Sequence, residues 1–305
     1  VAAVAHREIA CVKKELRYTG MPEGLFYGPR KYQPSASTKL SALNNYLKVA
    51  PYVLPEEKLT HASVLWHGDL HTQNLFVDPE IPTRILGIID WQSVSACPLF
   101  MQVTRPGFLD FNGPKPEELG KVSLPENFNT LSPNEQREAK ALHQAQTLHN
   151  LYMARSYQQN PEAFLAMQQK DSLRHQVAVV PGTVLMDYEP YLNHLLRDVE
   201  KEWPKIVGTG SDRLPLIPCP LHFSTAEIEQ QGKDEELWAQ GVKLMNTFIS
   251  DAGGFKYWNG KVSNEDYETL KDQLARGIER FLDREARNSE ERVAWLKALP
   301  FVDHV

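Results

Sequence analysis

Cysteine is scarce in this chain. Its 305 residues include three, Cys11, Cys97 and Cys219. They lie far apart and match neither a zinc-ligand nor a disulfide spacing, so they read as small buried hydrophobes in a reducing compartment. A basic excess is missing too: 33 Lys and Arg stand against 39 Asp and Glu, a net charge of -6, so nothing advertises a nucleic-acid partner. No apolar run approaches the ~18 residues of a membrane span. There is no Gly-x-Ser-x-Gly, which removes the strand-to-helix nucleophile elbow of a Ser-His-Asp hydrolase. There is no Gly-x-Gly-x-x-Gly either, and Gly208-Thr209-Gly210 has no strand-to-helix context that would make it a phosphate loop. Internal repeats and low-complexity tracts are absent. What remains is ordinary globular composition, 42% hydrophobic and 24% charged, long enough for one large domain or two modest ones with a substantial core.

The period of the hydrophobic pattern changes along the chain. Residues 6–18 read as a helix, with Ile9, Val12 and Leu16 on one face. Residues 19–37, with three prolines and three glycines, read as a loop, and 38–50 as a second helix that Pro51 and Pro55 end. Three short apolar runs follow, at 63–66, 74–77 and 84–89. The last two are separated by Asp78-Pro79 and Pro82 and predict a hairpin. After Pro133 the pattern is helical. Ser132-Pro133-Asn134-Glu135 and Ser224-Thr225-Ala226-Glu227 are capping boxes. Further helices are expected from Asn160-Pro161-Glu162, over 189–203, over 263–287 and over 289–299. Trp203, Trp238 and Trp258 read as packing residues. The proline-rich stretch 208–220 is the best candidate boundary within the helical part.

The segment that carries chemistry is Trp66-His67-Gly68-Asp69-Leu70-His71-Thr72-Gln73-Asn74, followed by Ile88-Ile89-Asp90-Trp91. Phosphoryl transfer needs a carboxylate to orient or deprotonate the attacking hydroxyl, and oxygen ligands that hold magnesium on the phosphates. Asp69 and Asn74 have the five-residue spacing that kinases use, and Asp90 ends the apolar run after the expected hairpin. His67, Asp69 and His71 alternate, but no fourth ligand lies at zinc-site spacing. His143 and His149 lie six apart and do not share a helix face well.

His67-Gly68-Asp69-Leu70-His71 with Asn74, then Ile89-Asp90-Trp91, resembles the catalytic core of the aminoglycoside phosphotransferase and choline kinase group. The flanking Arg7-Glu8-Ile9-Ala10, Ala50-Pro51-Tyr52, Phe76-Val77-Asp78-Pro79 and Gly87-Ile88-Ile89-Asp90-Trp91-Gln92 look like its fungal branch, which includes the "altered inheritance of mitochondria" proteins. The resemblance implies an α+β, mainly α fold: the C-terminal lobe of a protein-kinase-like enzyme with a small β-hairpin at the catalytic site. It implies Asp69 as catalytic base, Asn74 and Asp90 as Mg2+ ligands and cofactor-binding residues, and His67 and Trp91 as structural support. His71 matches a position usually occupied by His and is assigned no chemistry. The implied cofactors and partners are Mg2+, ATP as co-substrate and a small-molecule hydroxyl acceptor, and mitochondria are the implied location, with cytoplasm the alternative. Asp187, Glu189 and Asp198 are available as acidic acceptor contacts.

The nucleotide-gripping half of such an enzyme has no counterpart in the 68 residues before Asp69, where Lys13 and Lys14 fall in a helical pattern rather than on a strand. Two expectations follow. The chain, which begins at Val1, is a fragment whose N-terminal ATP-binding lobe lies upstream, or it is a shortened inactive relative. On either, the expected parts are a catalytic lobe over 1–207 and a helical extension over 208–305, with little activity in the chain alone. A non-catalytic pseudokinase scaffold is the alternative function.

Overall fold

A computed structural model describes residues 2–14, 28–92, 94–116, 119–252 and 265–299. The end of the first expected helix, part of the loop at 19–37, the first two residues of the helix expected over 263–287, and Trp258 lie outside them. The fold is mainly helical with small antiparallel sheets, and its residues form two compact units, one of 1–52 with 180–305, the other of 53–179. The boundary expected at 207/208 falls inside the first unit, in the loop between two of its helices.

The first unit begins with α1 (Ala2–Lys13) and α2 (Ala36–Val49). Ser35 caps α2, its hydroxyl accepting from the Thr38 N–H at 3.1 Å. A 3₁₀ segment at Val180–Met186 leads into α7 (Glu189–Val207), and α8 (Thr225–Ala252), α9 (Tyr267–Glu285) and α10 (Ser289–Ala298) follow. The apolar stripe of α2, Ala42, Leu43, Tyr46 and Val49, is buried together with Leu192, Leu195, Leu196 and Val199 of α7. Each such aliphatic side chain contributes about 1.5–3 kcal/mol on leaving water. Ala5 and Val12 bury the inner face of α1. Beside them Glu8 is fully buried and accepts from the Leu185 N–H at 2.9 Å, which ties α1 to the 3₁₀ segment. A second cluster joins α8, α9 and α10 through Phe248, Phe281 and Trp295, whose rings meet edge to face at 5.5 and 5.3 Å.

The second unit holds all the strands found among the described residues. β1 (Ser63–Leu65) pairs antiparallel with β4 (Ala96–Pro98), and β2 (Leu75–Val77) with β3 (Ile85–Ile88). The β2–β3 hairpin keeps Leu75 opposite Ile88 and Phe76 opposite Gly87, with an irregularity between Phe76 and Val77. The helices here are α3 (Leu99–Gln102), α4 (Pro133–Gln159), α5 (Pro161–Gln168) and α6 (Leu173–Val179). Ser132 and Glu135 form the expected capping box at α4, and Asn160 caps α5. Leu99, Val103, Ala163 and Ala166 make the core, with Val64 and Trp66 against it.

Candidate active site

The site grows from the segment that leaves β1. Trp66 packs on the core and His67, the next residue, is 9% exposed. His67 Nε2 lies 2.8 Å from the Ile89 carbonyl oxygen, which can only accept, so Nε2 carries the proton. The other ring nitrogen, Nδ1, is buried without a partner among the described residues. The chain then turns outward through Gly68 and Asp69. The Leu70 carbonyl accepts from the Gly107 N–H at 3.0 Å, which fixes the far side of the loop.

Asn74 is the hub. It is 5% exposed and ends the 3₁₀ turn Thr72–Asn74. Its Nδ2 donates to the Asp69 carbonyl at 3.0 Å, its N–H donates to the His71 carbonyl at 3.0 Å, and its own carbonyl accepts from the Ile89 N–H at 3.0 Å. With Nδ2 committed to Asp69, the amide is held in one orientation and Oδ1 remains as an acceptor. The last of these bonds continues the Leu75–Ile88 pairing by one step, so Asp90 follows directly after the residue bonded to Asn74.

Asp90 has φ 64°, a left-handed backbone that costs a non-glycine residue about 1–2 kcal/mol. Its neighbours hold it there. Trp91 Nε1 donates to the Ile88 carbonyl at 2.9 Å, and the Trp91 ring meets His67 edge-on at 4.9 Å. The carbonyls of Ile88 and Ile89 are thus both fixed by side chains, one from Trp91 and one from His67.

The Asp69 carboxylate is 81% exposed, with His71 Nε2 3.7 Å from its Oδ2. His71 also caps the 3₁₀ turn: its Nδ1 accepts from the Gln73 N–H at 3.3 Å. Sequence reasoning left His71 without a role. The signal that could have found it is its position just ahead of a turn ending in a candidate ligand, a place where a side-chain acceptor is needed.

Among the described residues no three His, Cys, Asp or Glu side chains converge on one point, so the site has no zinc-type cage there. Magnesium needs less protein. One or two carboxylate or amide oxygens, with waters and substrate phosphates, complete its shell. By residue type, the Asp90 carboxylate and the Asn74 Oδ1 fit that donor set.

The downstream acids lie in the other unit and are engaged there. Asp187 pairs with Lys39, and Asp198 lies beside His194 and Lys201. Glu189 is fully buried and accepts from the Tyr32 hydroxyl at 2.7 Å.

Comparison with known proteins agrees with the geometry. A subtelomeric hrmA-associated cluster protein of Aspergillus fumigatus, found in two strains, is 26% identical over 97% of this chain and 56% of its own length. The altered inheritance of mitochondria protein 9, mitochondrial, of Vanderwaltozyma polyspora is 21% identical over 65% of this chain and 31% of its own. The chain therefore spans little more than half the length of the Aspergillus fumigatus relatives, and its match covers about a third of the Vanderwaltozyma polyspora one. No solved structure matches it. Residues 32–101, which contain His67, Asp69, Asn74, Asp90 and Trp91, match the model of the family described as "Phosphotransferase enzyme family".

Proposed function

We propose that this chain carries the base and the metal-holding residues of an ATP-dependent phosphotransferase acting on a hydroxyl of a small molecule. The observation that carries the reading is the Asn74 hub. The buried Asn74 side-chain amide donates to the backbone of Asp69 on one side, and the Asn74 main-chain carbonyl accepts from the residue before Asp90 on the other. The loop carrying Asp69 and Asn74 and the turn carrying Asp90 are thereby tied into one frame, as phosphoryl transfer requires.

In this reading Asp69 orients the acceptor hydroxyl and receives its proton. The acceptor oxygen forms a bond to the γ-phosphorus while the bond from that phosphorus to the β–γ bridging oxygen breaks, and ADP leaves with that electron pair. Asp90 and Asn74 Oδ1 hold the metal side of the nucleotide. Magnesium, when bound, neutralises charge on the phosphate oxygens. His67 and Trp91 keep Asp90 in its left-handed conformation. The catalytic lobe and helical extension remain the proposed parts, over 1–207 and 208–305.

Two features support the expectation that a further, nucleotide-gripping lobe belongs to the active protein. Among the described residues no strand precedes β1, and Lys13 and Lys14 lie at the end of α1. The hairpin also exposes Phe76, Val77, Ile85 and Leu86, an apolar surface of the kind that marks a contact with another protein part. The chain alone then turns over little ATP. The second reading is a non-catalytic pseudokinase used as a binding module. The mitochondrial name of the Vanderwaltozyma polyspora relative supports a mitochondrial location, with cytoplasm as the alternative.

The experiment is magnesium-dependent ATP binding and γ-phosphate transfer by the full-length gene product. Turnover lost on Asp69→Asn supports the enzyme. Folded protein that binds no ATP supports the scaffold.

A further inference from the structure

We infer that His71 is a positioning residue for the Asp69 carboxylate, through the contact between His71 Nε2–H and Asp69 Oδ2. The inference rests on the reading of Asp69 as the base. The starting point is the imidazole's other nitrogen. Nδ1 accepts from the Gln73 N–H at 3.3 Å and so carries a lone pair, which places the proton of the neutral ring on Nε2. That N–H faces Oδ2 across 3.7 Å. This is longer than a formed hydrogen bond, and both groups are solvent-accessible. Contacts of this kind tighten when substrate closes over a site and excludes water.

Local structure makes the ring a fixed device rather than a passing neighbour. His71 caps the 3₁₀ turn that ends in Asn74, and its carbonyl accepts the Asn74 N–H. Asn74 in turn holds the Asp69 carbonyl. The imidazole and the carboxylate therefore hang, two residues apart, from one hydrogen-bonded loop. With Oδ2 directed to His71, Oδ1 is the oxygen left to meet the acceptor hydroxyl. A carboxylate that would otherwise rotate freely in water is given one productive orientation.

Two variants separate positioning from capping. His71→Asn keeps an acceptor for the Gln73 N–H but is too short to reach Asp69. His71→Gln extends an amide N–H toward Oδ2 and weakens the cap. The readout on this chain, which needs no turnover, is the 13Cγ resonance of Asp69 at one pH, assigned by its loss in Asp69→Asn. It is expected to move in His71→Asn and to stay near the wild-type position in His71→Gln. In the full-length protein kcat is expected to fall about tenfold in His71→Asn, with KM for ATP unchanged, and to recover most of that loss in His71→Gln. A resonance that is the same in both variants, or that moves in Gln and not in Asn, overturns the inference and leaves His71 a cap. If the wild-type protein transfers no phosphate, the phosphotransferase reading fails, while the Asp69 resonance still decides whether the two side chains are paired.

Discussion

His67 and Ile89 are 22 residues apart, and one hydrogen bond of 2.8 Å, from the imidazole Nε2 to the peptide carbonyl, joins them. That bond connects the loop carrying Asp69 to the turn carrying Asp90. The other imidazole nitrogen is buried without a hydrogen-bond partner among the described residues, so this is the hydrogen bond through which the ring holds the turn.

His67→Ala should therefore lower stability by about 1–3 kcal/mol, because it leaves the Ile89 carbonyl without its donor and removes the edge-on contact with Trp91. Urea denaturation followed by circular dichroism measures this. A midpoint equal to that of the wild type would show that the bond contributes nothing.

Asp90 offers a prediction with opposite signs. Glycine adopts φ 64° without strain and alanine does not. Asp90→Gly should be more stable than Asp90→Ala by about 1 kcal/mol, while both lose magnesium-dependent nucleotide binding alike. Thermal melts and ATP titrations of the two variants check it. Equal stability would mean that the turn relaxes out of the left-handed region once the carboxylate is gone.

Glu189 gives a pH dependence. Burial, opposed by the Tyr32 hydroxyl and the Lys39 charge, holds its carboxyl above the usual carboxylate range. A folded-state value above the unfolded one means that the unfolded chain gives up this proton first. The stabilisation it provides is full below the unfolded value and is lost as pH rises through the folded value. Glu189→Gln keeps an acceptor for Tyr32 and cannot ionise. The stability of Glu189→Gln relative to wild type should rise as pH increases above the ordinary carboxylate range of about 4.5. Urea midpoints across that range test it, and a constant difference would contradict it.

Two histidines act on the acid side. Burial, then the Arg105 charge, holds His149 below the ordinary imidazole range, and burial, then Lys170, does the same for His175. For these groups the stabilisation is present above about pH 6.5 and is lost as pH falls toward the folded values. Replacing His175 by Gln should flatten the fall in urea midpoint between about pH 7 and about pH 5. An equally steep fall in the variant would place the acid sensitivity elsewhere.

The parts of this fold that were legible in the sequence are those set by neighbours along the chain. The Ser132 and Asn160 caps, the β2–β3 hairpin around Asp78-Pro79, and the helices after Pro133 all follow from local rules. The β1–β4 pair did not announce itself, because Ala96-Cys97-Pro98 shows no alternation and ends in a residue that strands avoid. The burial of Glu8 and Glu189 was invisible because it depends on partners 177 and 157 residues away. At the site, spacing together with the resemblance of the His67-Gly68-Asp69 and Ile89-Asp90-Trp91 segments singled out Asp69, Asn74 and Asp90. It could not show that Asn74 is the buried hub, that Asp90 is left-handed, or that His67 reaches Ile89. Those facts arise from hydrogen bonds between residues that only the fold brings together.

Asp69, held through Asn74 beside the Asp90 turn, is the proposed base of a phosphoryl transfer. The most direct measurement is transfer of the γ-phosphate of labelled ATP to a panel of small hydroxyl acceptors by the full-length protein, with magnesium, in wild type and in Asp69→Asn. The account predicts magnesium-dependent transfer that falls by at least ~10²-fold in a variant that still folds and still binds ATP. Transfer that survives Asp69→Asn undiminished would contradict it.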